Sequence, residues 1–366
     1  MHNPRILIAA GGTGGHVYPA IAIASALKEQ NPDTEILFVG TKNHMEWTAV
    51  PKAGFEIVNV WISGFQRRLT LKNLLFPIKL ITSIFQSFSI LSSFKPQVVV
   101  SCGGYVAGPV GWVAAKKNIS LVIQEQNSFP GVTNRMLAKY ASKIFTAFKA
   151  ASKFFPDSEI IETGNPTRNS LTAIEKEIGL KAFDFDSTKP VLFVLGGSLG
   201  AKSINAAVKA NLRALASIQV IWQCGSQYYE TLSSEIDLKA YPNVRLLPYI
   251  ENMPEAYAAS DLIVSRAGAS SCSELMLTGK PSVLIPSPNV AGDHQTQNAK
   301  AMVEAGASVL LVDAHATRSL PSVVHTLLHD QRKLTAMNKA ALKHAKPDAA
   351  KQIANEILEL AKSRLN

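Results

Sequence analysis

The sequence predicts an α/β protein built from two doubly wound parallel-sheet domains, and three observations carry that reading. Short apolar runs alternate with helical patterns along the whole chain, as a parallel sheet wrapped by helices requires. Apolar run, glycine turn and helix start recur as one unit near residues 6–27, 97–115 and 191–202. A length of 366 residues with 47% hydrophobic and 17% charged side chains suits two domains of ordinary size.

The first unit opens with an apolar run at 6–10, followed by Gly11-Gly12-Thr13-Gly14-Gly15 and His16. Ala20, Ile21, Ala24 and Leu27 then recur at helical spacing, and Pro19 is expected in the first turn, where its missing N–H costs nothing. Strand, glycine turn and helix N-terminus let backbone N–H groups face an anion or a polar ligand. His16 is the only titrating side chain of that turn. Strands are expected at 35–39 and 55–60, a helix over 71–94, and a strand at 97–101 closing on Cys102-Gly103-Gly104-Tyr105. Gly108-Pro109-Val110 opens the next helix.

A strand at 121–123 delivers Gln124-Glu125-Gln126-Asn127 to its carboxyl end, where doubly wound sheets bind ligands. Strands at 143–146 and 160–163 lead to Gly164-Asn165-Pro166, whose turn chemistry marks a domain boundary. The expected domains are therefore 1–164 and 165–347. The amphipathic helix of 348–366 carries Ile353, Ile357, Leu358 and Ala361 on one face and is expected to pack back on the first domain.

The second domain restarts with a strand at 191–195, the turn Gly196-Gly197-Ser198-Leu199-Gly200-Ala201 and a helix from Lys202, again shaped for a phosphate. Strands follow at 219–223, 244–247, 262–264, 282–285 and 309–312. The small residues Ala267-Gly268-Ala269-Ser270-Ser271-Cys272-Ser273 let a ligand approach the backbone, and Glu274 beyond them suits ribose hydroxyls. Asp293-His294-Gln295-Thr296-Gln297-Asn298 is a second polar loop before a helix. Asp184-Phe185-Asp186 has the spacing of a cation-binding pair but lies in a charged linker, where carboxylates are solvated.

The net charge of +10 is concentrated, because no carboxylate occurs from Ile57 to Gln124. That interval interleaves Arg67, Arg68, Lys72, Lys79, Lys95, Lys116 and Lys117 with large apolar residues such as Trp61, Phe76, Ile81, Phe85 and Phe88. Such a mixture suits an anionic membrane surface, at about 1 kcal/mol per basic residue. Nucleic acid is excluded for want of a recognition-helix, zinc-finger or ribonucleoprotein pattern. The uncharged window 96–115 contains Gly103, Gly104, Gly108, Pro109 and Gly111, so it reads as strand, turn and helix and not as a membrane span. Three isolated cysteines, Cys102, Cys224 and Cys272, suit a reducing cytoplasm and no zinc site. The opening Met-His-Asn-Pro-Arg leads into a strand too short for a secretion signal. A dinucleotide site is disfavoured, since the first turn is not GxGxxG and Asp33 precedes its strand.

Seven segments in order resemble the glycosyltransferases of the two-Rossmann-domain (GT-B) plan, and among them the family 28 N-acetylglucosaminyltransferases of bacterial peptidoglycan synthesis. They are Gly11 to His16 with Tyr18-Pro19, Gly103-Gly104-Tyr105 with Gly108-Pro109, Glu125-Gln126-Asn127, Gly164-Asn165-Pro166 with Arg168, Gly196 to Ala201, Ala267-Gly268-Ala269 with Ser273-Glu274, and Asp293-His294-Gln295 with Asn298. Gln124 departs from the family, which usually carries histidine there. Other enzymes on the same plan, a lipid-sugar transferase or a UDP-GlcNAc 2-epimerase, are the alternative; the acid-free apolar interval has no purpose in the wholly soluble epimerase reaction.

The resemblance implies two domains facing across a cleft and inverting transfer of GlcNAc from UDP-GlcNAc to the C4 hydroxyl of the muramyl sugar of lipid I, giving lipid II and UDP. It places Ser198 at the diphosphate, Ile250 and Ala269, Ser270, Ser271, Cys272 and Ser273 around uridine, and Glu274 on the ribose. It places Gln295 on the donor sugar and Arg168 at the phosphates. Thr13, Gly14, Gly15 and Asn127 belong to the sugar, and Gly103, Gly104 and Tyr105 to the acceptor. In-line displacement needs a base near neutral pH, so His16 is the first choice and Glu125 the second. Helix N-termini and Arg168 serve the departing diphosphate, so no metal or cofactor is expected. The partners implied are UDP-GlcNAc, lipid I and the anionic cytoplasmic face of the inner membrane, met through residues 61–95.

Overall fold

The computed structural model describes residues 3–64, 75–167, 169–197, 199–290 and 293–364. Arg67, Arg68, Lys72, Arg168 and Ser198 therefore lie outside the described residues. The chain divides into two compact units, Met1–Thr167 with Pro347–Asn366, and Arg168–Lys346.

In the first unit, β1 (Arg5–Ala9), β2 (Glu35–Gly40), β3 (Glu56–Asn59), β4 (Val98–Ser101), β5 (Ser120–Glu125), β6 (Lys143–Thr146) and β7 (Ile160–Glu162) form one sheet. The order is β3-β2-β1-β4-β5-β6-β7 and every pair is parallel. Helices α1 (Gly14–Gln30), α2 (Glu46–Lys52), α3 (Phe76–Phe94), α4 (Ala107–Lys116) and α5 (Val132–Leu137) belong to this unit, with the C-terminal helix Ala349–Ser363. Alternation along β1 sends Ile6 and Ile8 to the face shared with α1 and the C-terminal helix, and Leu7 and Ala9 to the face shared with α3 and α4. The C-terminal helix buries Ile353, Ile357 and Leu358, each worth about 1.5–3 kcal/mol. Lys143 pairs with its Glu356 at 2.5 Å.

Pro19 does not sit in the first turn. Thr13, extended at φ −141° and ψ 156°, is the N-cap, so α1 begins at Gly14 and the proline lies inside it. A proline there has no N–H for the carbonyl of Gly15. Helix α3 starts at Phe76 in the described residues, short of the expected 71.

The second unit contains β8 (Val191–Leu195), β9 (Gln219–Gln223), β10 (Val244–Leu247), β11 (Leu262–Ser265), β12 (Ser282–Leu284) and β13 (Ser308–Leu310) in the order β10-β9-β8-β11-β12-β13, all parallel. Its helices are α6 (Lys176–Ala182), α7 (Lys202–Ala210), α8 (Ser226–Glu235), α9 (Met253–Ala259), α10 (Ala269–Leu277), α11 (His294–Glu304), α12 (Ala316–Leu328) and α13 (Gln331–Lys343). Trp222 is wholly buried and its indole N–H donates to Asn205 Oδ1 at 3.0 Å, so the core holds a tryptophan without an orphaned donor.

Both sheets reverse their winding beside their first strand. In the first, β1 lies between β2 and β4; in the second, β8 lies between β9 and β11. The carboxyl ends of those strands are where an open parallel sheet presents its ligand crevice.

Candidate functional site

In the first unit, the turns after β1 and β4 meet at that switch point. Gly104 has φ +84°, and a Cβ on it would overlap the carbonyl oxygen of Gly11, so only glycine allows the two backbones to touch. A Cβ on Gly103 would lie 2.9 Å from His16 Cδ2 and 3.1 Å from its Nε2. The acceptor turn and the histidine predicted from sequence are thus brought together.

His16 Nδ1 lies 3.1 Å from Gly11 O and 3.3 Å from Thr13 Oγ1. A carbonyl only accepts, so Nδ1 carries the proton and donates it, and the lone pair of the neutral ring is on Nε2. That is the nitrogen beside Gly103. Thr13 does not cap its helix with its side chain and instead faces the same imidazole. An open cleft of about 690 Å³ adjoins these groups, lined by Gly12, Thr13, Thr41, His44, Lys79 and Tyr105 among others. Lys79 Nζ is held by Ser63 Oγ at 2.9 Å and lies over the Trp61 ring. Tyr105 is exposed, with its ring against Gly64.

Glu125, the second choice for the base, is engaged on both oxygens. Its Oε1 accepts from the N–H of Asn127 (2.9 Å) and from Asn127 Nδ2 (3.3 Å). Its Oε2 accepts from the N–H of Gly131 (3.1 Å) and from Asn134 Nδ2 (2.8 Å). Burial pushes the carboxyl pKa up, and those four bonds work against the rise. With both oxygens occupied, Glu125 braces the loop that carries Asn127. Gln124, the departure from the family, donates to Asn165 Oδ1 at 3.2 Å, while Gln126 donates to Cys102 O at 2.7 Å. These buried amides tie the ends of β4 and β5 to the Gly164-Asn165-Pro166 turn.

In the second unit, the turn after β8 lies against the turn after β9. A Cβ on Gly200, at φ +76°, would overlap the carbonyl of Cys224. Gln223, at the end of β9, donates to Gly197 O at 3.2 Å and accepts from the N–H of Ile250 at 3.0 Å. The expected uridine residue Ile250 is therefore buried, with its N–H already engaged. Ala269 to Ser273 form the start of α10, whose N-cap is Gly268. Cys272 is buried in the core, and burial pushes its thiol pKa up to about 12. Ser273 is also buried and donates back to Ala269 O at 3.0 Å. Ser270 Oγ is buried with no partner among the described residues.

Glu274 is half-buried and its Oε2 accepts from the hydroxyl of Tyr257 at 2.8 Å. Gln295 Oε1 accepts from the N–H of Ser287 at 2.8 Å, which fixes the side-chain amide beside the glycine turn. Asn298 donates to Ala267 O at 3.1 Å, joining the two polar loops. A second open cavity, of about 720 Å³, is lined by Gly197, Gly200, Lys202, Tyr228, Arg266 and Gln295 among others. Arg266 donates to Asp313 Oδ1 at 2.5 Å, to Ser203 Oγ at 2.7 Å and to Ile285 O at 2.9 Å.

Sequence reasoning missed Glu46, Gln223, Tyr257 and the role of Arg266. Each is a single polar residue, and the contacts that matter here, Glu46 with Gly12, Gln223 with Gly197, Tyr257 with Glu274 and Arg266 with Ser203, join positions 34, 26, 17 and 63 apart, so no local pattern marks them. Asp184 and Asp186 have separate tasks. Asp186 accepts from the N–H and hydroxyl of Thr188, which lower its pKa, whereas Asp184 lies beside Arg245. Among the described residues no group of three or more His, Cys, Asp or Glu is placed to hold a metal ion.

Two family models match in the order of the two sheets: the glycosyltransferase family 28 N-terminal domain over residues 6–146 and the family 28 C-terminal domain over residues 191–353. The UDP-N-acetylglucosamine–N-acetylmuramyl-(pentapeptide) pyrophosphoryl-undecaprenol N-acetylglucosamine transferase of Flavobacterium psychrophilum is 43% identical over the whole of both chains. The transferase of the same name from Bacteroides thetaiotaomicron is 44% identical over 98% of each. The crystal structure of Acinetobacter baumannii MurG is 30% identical, with a TM-score of 0.78 over 98% of this chain and 100% of that one. S. aureus MnaA in complex with UDP shares the fold at 16% identity, with a TM-score of 0.72 over 98% and 97% of the two chains. The chain belongs to glycosyltransferase family 28, and within it to the family of these N-acetylglucosamine transferases.

Proposed function

We propose that this protein transfers N-acetylglucosamine from UDP-GlcNAc to the C4 hydroxyl of the muramyl sugar in undecaprenyl-pyrophosphoryl-MurNAc-pentapeptide, with inversion, releasing UDP. The observation that carries the reading is the full-length identity with the two named relatives, because it spans both sheets and both sets of switch-point turns. The geometry supports a division of labour. His16 Nε2 takes the proton of the acceptor hydroxyl as its oxygen bonds to the anomeric carbon and the bond from that carbon to the β-phosphate oxygen breaks. The charge that appears on UDP is met by the backbone of the Gly196–Gly200 turn, the N-terminus of α7 and Arg266. Glu274, oriented by Tyr257, holds the ribose. Lys79, which lines the same cleft, meets the acceptor pyrophosphate. No metal takes part in this reading.

The same proposal extends to an anionic membrane surface. Helix α3 is amphipathic in the unusual sense: Ser83 and Ser87 are wholly buried, while Ile81, Phe85 and Phe88 are 57%, 71% and 53% exposed. The buried hydroxyls are satisfied by the carbonyls of Leu80 and Ser83. Ile78, Ile81, Phe85 and Phe88 share one face, and Lys117 lies 4.2 Å from the Phe88 ring centre. No helix among the described residues is long and apolar enough to cross a membrane, so contact is with the surface.

Folded enzyme incubated with radiolabelled UDP-GlcNAc and a lipid I analogue tests the reading. A labelled disaccharide-lipid is expected, at the same rate with chelator or Mg²⁺. Absence of that product under both conditions refutes it.

A further inference from the structure

The geometry points to Glu46 as the positioning residue behind His16, acting on the imidazole through the Gly11–Gly12 peptide. The inference rests on His16 being the base. Glu46 opens α2 and is wholly buried. Its Oε2 accepts from the N–H of Gly12 at 3.2 Å, and its Oε1 accepts from the N–H and hydroxyl of Thr41 at 3.1 and 2.6 Å. The carbonyl of that same Gly11–Gly12 peptide accepts from His16 Nδ1 at 3.1 Å. A carboxylate on one side of a peptide and an imidazole on the other thus form a single hydrogen-bonded chain.

Bonds in such a chain polarise one another. A carboxylate pulling on the N–H raises the negative charge on the attached oxygen, which strengthens its bond to Nδ1–H. The gain grows when Nε2 accepts a proton, since the ring then becomes a charged donor. Glu46 does across one peptide what an aspartate does directly in a Ser-His-Asp triad: it sets the tautomer, holds the ring and supports the imidazolium. Packing leaves the carboxylate no other place. A Cβ on Gly11 would lie 2.8 Å from Glu46 Oε1, and one on Gly40 would lie 2.8 Å from its Cγ. Engagement of the Gly12 N–H by Glu46 also removes it from any phosphate, so this turn serves the histidine first.

A double-mutant cycle on the full-length enzyme tests this, with kcat and the KM for UDP-GlcNAc measured for Glu46→Gln, His16→Ala and the pair. His16→Ala is expected to lower kcat about 10²- to 10⁴-fold. Glu46→Gln should lower kcat about tenfold or more with an unchanged donor KM, and should cost nothing further in the His16→Ala background. Glu46→Asp, one methylene short of the Gly12 N–H, should behave in the same way and serves if the glutamine variant does not fold. An equal loss in both backgrounds overturns the role of Glu46 and leaves His16 as base. A His16→Ala enzyme with near-native kcat overturns the base reading itself.

Discussion

Replacing Tyr257 by phenylalanine removes one hydroxyl and leaves the packing intact. The side chain is 1% exposed and stands edge-on to Phe193, with ring centres 5.9 Å apart. Burial first, and then the charge of Glu274, hold the phenol pKa well above its ordinary value, so it donates to the carboxylate at every working pH. A hydrogen bond to a charged group is worth about 1.5–3 kcal/mol. This one exists before any donor binds, so most of its loss is expected as stability of the C-terminal unit. What reaches binding is the cost of re-ordering Glu274, about 0.5–1.5 kcal/mol for one side chain, or roughly 2- to 13-fold in Kd. Calorimetric titration with UDP should therefore show a small loss for Tyr257→Phe. Glu274→Gln, which removes the charge itself, should lose roughly 10- to 150-fold. Native UDP affinity in Glu274→Gln refutes the ribose assignment. A Tyr257→Phe loss as large as that of Glu274→Gln, in a folded protein, refutes the orienting role.

Gly104→Ala should lower transfer sharply while UDP affinity stays native, because the new Cβ meets the Gly11 carbonyl and left-handed φ alone costs about 1–2 kcal/mol; native turnover in that variant refutes the contact. Burial lowers the Lys280 ammonium pKa to about 8 from 10.5, so the folded state holds that proton less tightly than the unfolded chain does. Its contribution to stability is therefore full above the ordinary lysine value and lost as pH falls through 8, a swing of about 3 kcal/mol. Urea unfolding of native protein against Lys280→Met across that range should show it, and parallel curves would remove it. Phe85→Glu, at the most exposed of the large apolar side chains of α3, should weaken binding to anionic vesicles without altering the thermal unfolding of either unit, and added salt should weaken binding of the native protein. Binding unchanged by both removes α3 from the membrane face.

The fold and the glycine turns were legible because their causes are local. A buried parallel strand reads as an apolar run, and a turn that needs positive φ or close backbone approach reads as glycine. Gly103, Gly104, Gly197 and Gly200 all show positive φ. Helix α3 was legible as a helix, but nothing in its own sequence says that Ser83 and Ser87 join Leu91 on the buried face while Ile81, Phe85 and Phe88 face out. Pro19 was misplaced by the same limit: the N-cap depends on where β1 stops, and that is set by its neighbours β2 and β4.

The alternation of strands and helices, the three glycine turns and the candidate His16 and Glu274 follow from the sequence by itself, since each rests on residues within one turn of chain. Only the tertiary structure decided what those groups touch. It turned Glu125 into a loop brace, put Tyr257 behind Glu274, and set Glu46 beneath the peptide that holds His16. The partners of Glu125 lie within nine positions of it, and the conformation of one loop brings them together. Tyr257 with Glu274 and Gly12 with Glu46 are 17 and 34 positions apart; they meet because of which strand ends adjoin at a switch point, a property of sheet order that carries no local sign in the sequence.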